Sequence, residues 1–222
     1  MIVEAFPMGV FQVNSYILRC EETGETVVVD PGDEPEILLR RLEELGTHPS
    51  AILNTHGHVD HIVGNGAIRA RYDVPIWMHP DDLFLIDGFE EQAAMFGLHF
   101  APPPPPDRDF IAGQPYRFGE CELQVHLAPG HSPGSVVLVN GTTAISGDVI
   151  FAGAIGRFDL PGGDLPTLLR SIEEVILPLG DDTVLHSGHG PSTTVGTERR
   201  SNPYLQVFRS RTGPPQALRD AR

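Results

Sequence analysis

The stretch Thr55-His56-Gly57-His58-Val59-Asp60-His61 decides the fold and lies where two kinds of structure meet. It follows an apolar run at 51–53, which predicts a strand, and precedes residues 62–72, whose apolar spacing predicts a helix. In layered α/β folds such a junction is the usual place for a site, because the strand fixes the backbone while the loop leaves side chains free. Histidine and aspartate at four of its positions can hold metal ions.

The spacing within this stretch separates the four side chains into two pairs. Each residue of a helix turns by about 100°, so His56 and His58 would diverge on a helix, whereas an extended loop points both in the same direction. These two histidines can therefore bind one ion. Asp60 and His61 are adjacent and begin the predicted helix, which suits them better to a second ion.

Three further candidates share one sequence context. His131 lies in Pro-Gly-His-Ser-Pro-Gly, Asp148 in Ser-Gly-Asp, and His189 in Ser-Gly-His-Gly. Each follows a predicted strand and stands beside glycine, which lets the backbone approach closely. A lone histidine is more often structural, but three such residues at strand ends predict one shared edge of the sheets.

The order of elements predicts an α/β (α+β) fold. The N-terminal strands are neighbours in sequence, and later strands alternate with helices, which favours antiparallel hairpins mixed with βα units and helices outside the sheets. We expect one strand at 118–128, no regular structure in the glycine-rich segment 151–164, and a short final helix at 198–208.

Composition and charge limit the classes of function. The 222 residues predict a single domain over 1–222 with a short C-terminal helix and tail. A formal charge of −15 argues against nucleic acid as a partner. No run approaches the ~20 apolar residues that span a bilayer, and the N-terminus lacks a secretory pattern, so we expect no membrane contact and a cytoplasmic location. Whether copies of the chain form a homo-oligomer is left open.

The pattern His-x-His-x-Asp-His, followed by a later His, an Asp and a final His, resembles the metallo-β-lactamase superfamily over residues 27–190. The resemblance implies an αββα sandwich of two mixed β-sheets flanked by helices, with the site at one edge of both sheets. It implies two sets of metal ligands joined by one bridging carboxylate: His56, His58 and His131; Asp60, His61 and His189; and the bridge Asp148. It also implies that Asp30 steadies the site through hydrogen bonds, although an Asp that forms a turn before Pro31 is an equal alternative.

Nitrogen and oxygen ligands without cysteine favour two divalent metal ions, zinc first, while iron or manganese would also be accommodated. Two ions that share a water lower its pKa to near neutrality and make hydroxide the nucleophile. Asp60 is expected to hold and orient this hydroxide, and is the catalytic candidate.

Within the superfamily, the chain is most similar to the short glyoxalase II-like (hydroxyacylglutathione hydrolase-like) subgroup, through residues 146–151, 156–164 and 198–205. This similarity implies hydrolysis of acyl-glutathione or a similar acyl-thiol, whose thiolate leaves with a pKa near 8.5 and needs no strong acid. Arg157 is expected to hold a substrate carboxylate, and Asp159 to repel one. Only about thirty residues follow His189, too few for the helical region with which full-length glyoxalase II helps to hold glutathione, so the thiol carrier stays open.

Other reactions of the superfamily remain as alternatives. A persulfide dioxygenase would use a single iron held by His56, His131 and Asp148. A nuclease is disfavoured by the acidic charge, and a lactonase or a β-lactamase is a further alternative. A binding module without activity would have to keep seven metal-binding side chains unused.

Overall fold

The computed structural model of the protein describes residues 1–206. One sheet has six strands, whose spatial order follows the sequence: β1 (Ile2–Met8), β2 (Val13–Arg19), β3 (Thr26–Val29), β4 (Pro49–Leu53), β5 (Ile76–Met78) and β6 (Arg108–Asp109). The first three strands pair antiparallel, and β3 to β6 run parallel. The sheet is therefore mixed, as predicted.

The second sheet also has six strands: β7 (Tyr116–Phe118), β8 (Cys121–Leu127), β9 (Val136–Asn140), β10 (Thr143–Gly147), β13 (Val184–Ser187) and β14 (Thr193–Thr194). Their spatial order is β14-β13-β10-β9-β8-β7. Only β10 and β13 pair in parallel. A separate small hairpin joins β11 (Ile150–Phe151) to β12 (Ala154–Ile155).

Helices cover the outer faces of both sheets. The α-helices are α1 (Glu36–Leu45), α2 (Val59–Ile62), α3 (Asn65–Tyr72), α4 (Leu83–Asp87), α5 (Phe89–Met95), α6 (Leu165–Ser171) and α7 (Val195–Ser201). Short 3₁₀ turns lie at Pro80–Asp82, Leu177–Leu179 and Pro203–Leu205, and α6 continues as a π-helical turn at Ile172–Ile176. None of the helices in residues 1–206 is long and apolar enough to cross a membrane.

Apolar side chains on both faces of the strands hold the layers together. In β3, Val27 and Val29 join the core between the two sheets, whereas Val28 packs with Leu38 and Leu42 of α1. Strand β9 alternates in the same way, with one face in the inter-sheet core and the other under α6. Alternate side chains point to opposite faces of a strand, so continuous apolar runs are what a doubly covered sheet requires. The predicted αββα sandwich is confirmed.

The carboxyl ends of several strands meet at one edge of the sandwich, and backbone hydrogen bonds join the two sheets there. The amide of Val136 donates to the carbonyl of Thr55 over 2.8 Å. Val13 and His189 form a β-bridge between the N-terminal sheet and the segment after β13. This shared edge carries every metal-binding candidate of the sequence.

Three local predictions were wrong or incomplete. The helix expected at 62–72 is interrupted, because Gly64 packs against residues after β3 and a Cβ there would lie 2.4 Å from the Gly32 carbonyl oxygen. The strand expected within 118–128 is present as β8, and β7 precedes it across a turn at Gly119 with φ +51°. The segment 151–164 contributes to the β11–β12 hairpin. The helix expected at 198–208 is present as α7 but begins at Val195 and ends at Ser201, and a 3₁₀ turn follows at Pro203–Leu205; positions 207 and 208 lie outside the described residues.

Candidate metal centre

The loop after β4 presents its histidines from extended backbone. His58 has φ −72° and ψ 149°, and α2 begins at the next residue. His56, His58 and His61 are all buried, with 1%, 6% and 0% of their surface exposed. Asp60 and His61 lie on the single turn of α2 rather than on the longer helix that the sequence predicted. The break at Gly64 thus gives these two side chains a short helix of their own.

Three histidines converge at one side of this loop. The Nδ1 atom of His58 lies 2.8 Å from Nε2 of His131, and Nε2 of His56 lies 3.1 Å from the same atom. Each offers one nitrogen to a common point, an arrangement that can hold a divalent ion with imidazole ligands.

A second group lies beside the first. Nε2 of His189 is 3.2 Å from Oδ2 of Asp60, and Nε2 of His61 is 3.7 Å from the same oxygen. One carboxylate and two imidazoles again face a common point. The structure therefore brings together, in two groups of three, the residues that the sequence assigned to two ions.

Asp148 lies between the two groups. Its Oδ2 atom is 3.5 Å from Nε2 of both His131 and His189, and its Oδ1 atom is 3.3 Å from Nε2 of His61. Such a close approach requires glycine at position 188, since a Cβ there would lie 2.0 Å from Oδ1 of Asp148. The sequence expectation that glycine lets the backbone come close holds at this position.

Hydrogen bonds behind the rings orient the histidines. Nδ1 of His131 donates to the carbonyl of Arg157 over 2.7 Å, and Nδ1 of His189 donates to the carbonyl of Phe11 over 3.1 Å. Nδ1 of His61 faces Oδ2 of Asp30 at 3.0 Å. When Nδ1 carries the proton, Nε2 keeps a lone pair for a metal ion.

Asp30 anchors the loop from behind the site. Its carboxylate accepts from the Thr55 amide at 2.7 Å and from the Thr55 hydroxyl at 2.6 Å, in addition to His61. It contacts the side of His61 that faces away from Asp148, so it positions the ring and is poorly placed to share an ion with Asp148. The residue is 1% exposed and adopts φ +48°, which also suits the turn that the sequence offered as the alternative.

The electrostatics of the two groups differ. Burial lowers the pKa of His58 to about 3 and, together with neighbouring histidine rings, holds the pKa of His56 well below its ordinary value. Burial alone also lowers the pKa of His61, but nearby carboxylates, foremost Asp148 and Asp60, outweigh burial and raise that pKa well above ordinary. One group is thus neutral imidazole, and the other is rich in negative charge that stabilises a cation.

Buried polar atoms without hydrogen bonds indicate that these side chains can bind metal ions. Within residues 1–206, Nε2 of His61 and Oδ1 of Asp148 are buried and form no hydrogen bond, although they lie 3.3 Å from each other. The lone pairs of His56 and His131 face each other at 3.1 Å, which is unfavourable unless a cation or proton lies between them. Buried polar groups without partners are rare in folded proteins, and divalent ions would satisfy these.

A cavity of about 210 Å³ opens onto both groups. His58, Asp60, His131, Asp148 and His189 line its floor. Its walls are mainly apolar and come from several elements: Phe11, Val59, Met95, Phe96, Phe151, Leu160 and Pro161. A concave apolar pocket with a few converging polar groups is typical of a site for a small molecule.

Arg157 lines this cavity, and Asp159 pairs with it. The guanidinium donates from Nε to Oδ1 over 2.9 Å and from Nη2 to Oδ2 over 3.0 Å. Both side chains are exposed, at 57% and 63%. From the sequence, we expected Arg157 and Asp159 to act separately on a substrate, and their pairing was not predicted.

Asp82 is a residue of the site that the sequence analysis missed. It is fully buried, and its carboxylate accepts from the Gly57 amide at 2.9 Å, the Ser132 hydroxyl at 2.7 Å and the Gly134 amide at 2.6 Å. It therefore joins the loop of His56 and His58 to the loop of His131. His131 was selected because it is a polar residue that follows a strand end. Asp82 follows the end of β5 in the same way, so this rule could also have selected it.

Replacing Asp82 with asparagine is expected to lower the free energy of unfolding by about 2–3 kcal/mol, because one acceptor becomes a donor that faces buried donors. Metal affinity should also fall roughly tenfold as the two loops loosen. Urea denaturation and a competition assay with a chromogenic chelator measure the two effects. The neighbouring Asp81, whose side chain is 58% exposed, provides the matched control Asp81→Asn. Equal stability and affinity in the two variants would contradict the role of Asp82.

Comparison with known proteins agrees with this geometry. A family model described as the metallo-beta-lactamase superfamily matches residues 8–189. Hydroxyacylglutathione hydrolase GloC of Haemophilus influenzae is 38% identical over 209 residues, which cover 92% of this chain and 98% of that protein.

Two solved structures are similar in sequence and in fold. TTHA1623 in a di-iron-bound form is 41% identical with a TM-score of 0.85, and the match covers 91% of this chain and 100% of that one. BLEG-1, described as a B3 metallo-beta-lactamase, is 36% identical with a TM-score of 0.86 over 92% and 99% of the two chains. With a family match over most of its length, this chain belongs to the metallo-β-lactamase superfamily.

Proposed function

We propose that the protein hydrolyses thioesters, acyl-glutathione or a similar acyl-thiol, with two divalent ions. The observation that carries the proposal is the pair of side-chain groups that meet at Asp148. The proposed ligands are His56, His58 and His131 for one ion, Asp60, His61 and His189 for the other, and Asp148 for both. Zinc suits this donor set, and the di-iron form of TTHA1623 supports iron as an equal choice.

The metal ions, when bound, supply an activated water with a pKa near neutrality and polarise the thioester carbonyl. Asp60 holds that water by accepting a hydrogen bond from it, and Asp60 faces the cavity with 16% of its side chain exposed. Burial raises the pKa of Asp60, but His61 and, after it, His189 outweigh burial and hold that pKa below its ordinary value. His189, 3.2 Å from Asp60, also keeps the carboxylate aligned. The apolar walls exclude bulk water and strengthen these interactions.

The nature of the leaving group favours a thioester over an amide. A thiolate departs without protonation, because its conjugate acid has a pKa near 8.5, whereas an amine must be protonated as it leaves. The carboxylates that line the cavity have pKa values held low by adjacent histidines, so they are poor proton donors near neutral pH. The similarity to BLEG-1 nevertheless makes a β-lactam the second substrate class to test.

The experiment measures metal content and turnover on one preparation of the purified protein. We expect close to two metal equivalents and hydrolysis of S-lactoylglutathione, followed by thiol release, with much slower opening of nitrocefin. One iron equivalent, no thioester turnover and oxygen uptake with glutathione persulfide would instead support the persulfide dioxygenase. Nitrocefin opening faster than thioester hydrolysis would overturn the proposal in favour of a β-lactamase.

A further inference from the structure

Exposed apolar side chains border the opening of the cavity. Met95 and Phe96 stand at the end of α5 and are 62% and 43% exposed. The ring of Phe96 meets that of Phe11 edge to face, with 5.0 Å between centroids. Large apolar side chains that stay exposed beside a functional cavity mark a surface that binds an apolar partner. These residues line the cavity onto which the metal-binding groups open, so they are placed to contact an apolar part of a substrate.

Within residues 1–206, the lining of the cavity also contains no unpaired arginine or lysine. Among the described residues that line the cavity, Arg157 is the only arginine or lysine, and both oxygens of Asp159 occupy its guanidinium. A carboxylate that approached Arg157 would have to displace Asp159 or share its charge. Acyl-glutathione carries two carboxylates on its carrier. Desolvating them against apolar walls without a counter-charge is unfavourable.

We infer that the site selects thioesters whose thiol carrier is apolar and uncharged, and that the Arg157–Asp159 pair disfavours anionic carriers such as glutathione. This inference rests on the proposed thioesterase activity and names the substrate class within it. The acyl carbon lies over the metal-binding groups, and the carrier lies against Phe96, Met95 and Phe11. Attack of hydroxide on the carbonyl carbon forms the C–O bond, the C–S bond breaks, and the thiolate leaves along the apolar opening with its electron pair.

The test compares one acyl group on three carriers. The S-acetyl thioesters of benzyl mercaptan, N-acetylcysteamine and glutathione, called below the benzyl, N-acetylcysteamine and glutathione esters, have the same scissile C–S bond. They differ in the polarity and charge of the carrier. We expect kcat/KM for the benzyl ester to exceed that for the glutathione ester by about tenfold or more, with the N-acetylcysteamine ester between them. An equal or higher value for the glutathione ester would overturn the inference and leave the thioesterase proposal standing.

Two variants test the two parts of the opening separately. Asp159→Asn frees Arg157 and should raise kcat/KM for the glutathione ester by about threefold relative to the benzyl ester. Phe96→Ser should lower the preference for the benzyl ester by about fivefold. The control Ile111→Ser removes an apolar side chain that is 52% exposed at a different depression, with Trp77 and Phe110, and should leave the ratio unchanged. Unchanged ratios in both test variants contradict the inference.

Binding of uncleavable thioethers separates this inference from the proposed reaction. S-benzylglutathione and the benzyl thioether of N-acetylcysteamine are titrated calorimetrically into the metal-loaded protein. If no thioester is hydrolysed but the uncharged thioether binds more tightly, the thioesterase proposal fails and the selectivity stands. If S-benzylglutathione binds as tightly or more tightly, the selectivity fails. A change of oligomeric state in Phe96→Ser by light scattering, with an unchanged ratio, would identify the opening as an interface between copies and also overturn the inference.

Discussion

Replacing Asp60 with asparagine is expected to lower kcat for thioester hydrolysis by about a thousandfold, with a smaller change in KM. The substitution keeps the shape of the side chain and one oxygen but removes the charge that orients the attacking water. It also replaces one carboxylate oxygen with an NH₂ group, which only donates, and leaves an uncharged amide oxygen as a weaker acceptor for His189. Steady-state kinetics over a range of substrate concentrations separates the effects on kcat and KM.

The matched control for this variant is Asp182→Asn. Asp182 is exposed and precedes β13, whereas His189 follows the opposite end of that strand. The control should retain full turnover and metal content. Thioester hydrolysis by Asp60→Asn at the wild-type rate would show that the proposed mechanism is wrong. Metal analysis of both proteins distinguishes loss of an ion from loss of the orienting group.

Removal of metal is expected to abolish turnover and to lower the melting temperature by roughly 10 °C. Ions held at about a thousand times their dissociation constant stabilise a fold by about 4 kcal/mol, and each kcal/mol shifts the melting point of a chain of this size by about 2–4 °C. The chain itself supplies the physical reason. Without cations, the nitrogens of His56 and His131 face each other at 3.1 Å, and Asp148 keeps a buried oxygen without a hydrogen-bond partner.

Calorimetry before and after dialysis against a chelator measures the shift, and readdition of zinc, iron or manganese one at a time identifies the ion that restores both properties. Asp148→Asn should be less sensitive to the chelator, because it has already lost the carboxylate shared by the two groups. An unchanged melting temperature after complete removal of metal would contradict the assignment of these side chains as ligands.

The sequence alone predicts much of the site because its residues obey a local rule. His56, His58, Asp60 and His61 lie within six positions, so one loop carries them whatever the topology. The later candidates follow strand ends, and the carboxyl ends of parallel strands share an edge of a sheet. The αββα arrangement itself was implied by the family resemblance, since the alternation of elements favours sheets with outer helices but cannot give their pairing order.

Features that depend on contacts between distant segments could not be predicted. The position of Asp82 shortly after β5 makes it a candidate, but the sequence does not indicate the two loops that it joins, which lie 25 and 50 residues away. The break at Gly64 arises from the backbone after β3 and not from helix propensity. The pairing of Arg157 with Asp159 depends on the conformation of their loop, which a glycine-rich sequence leaves undetermined.

The contact between His189 and the N-terminal sheet has a consequence for how the site is assembled. The ring of His189 is held by the carbonyl of Phe11, 178 residues earlier, and the neighbouring backbone bonds to Asn14. Contacts between such distant residues form late, because the loop-closure entropy must be overcome first. The three-histidine group is closed by a contact between residues 75 positions apart, and the ring of His131 is held by the carbonyl of Arg157. We therefore expect the group that contains His189, which depends on the contact of longest range, to be assembled after the three-histidine group.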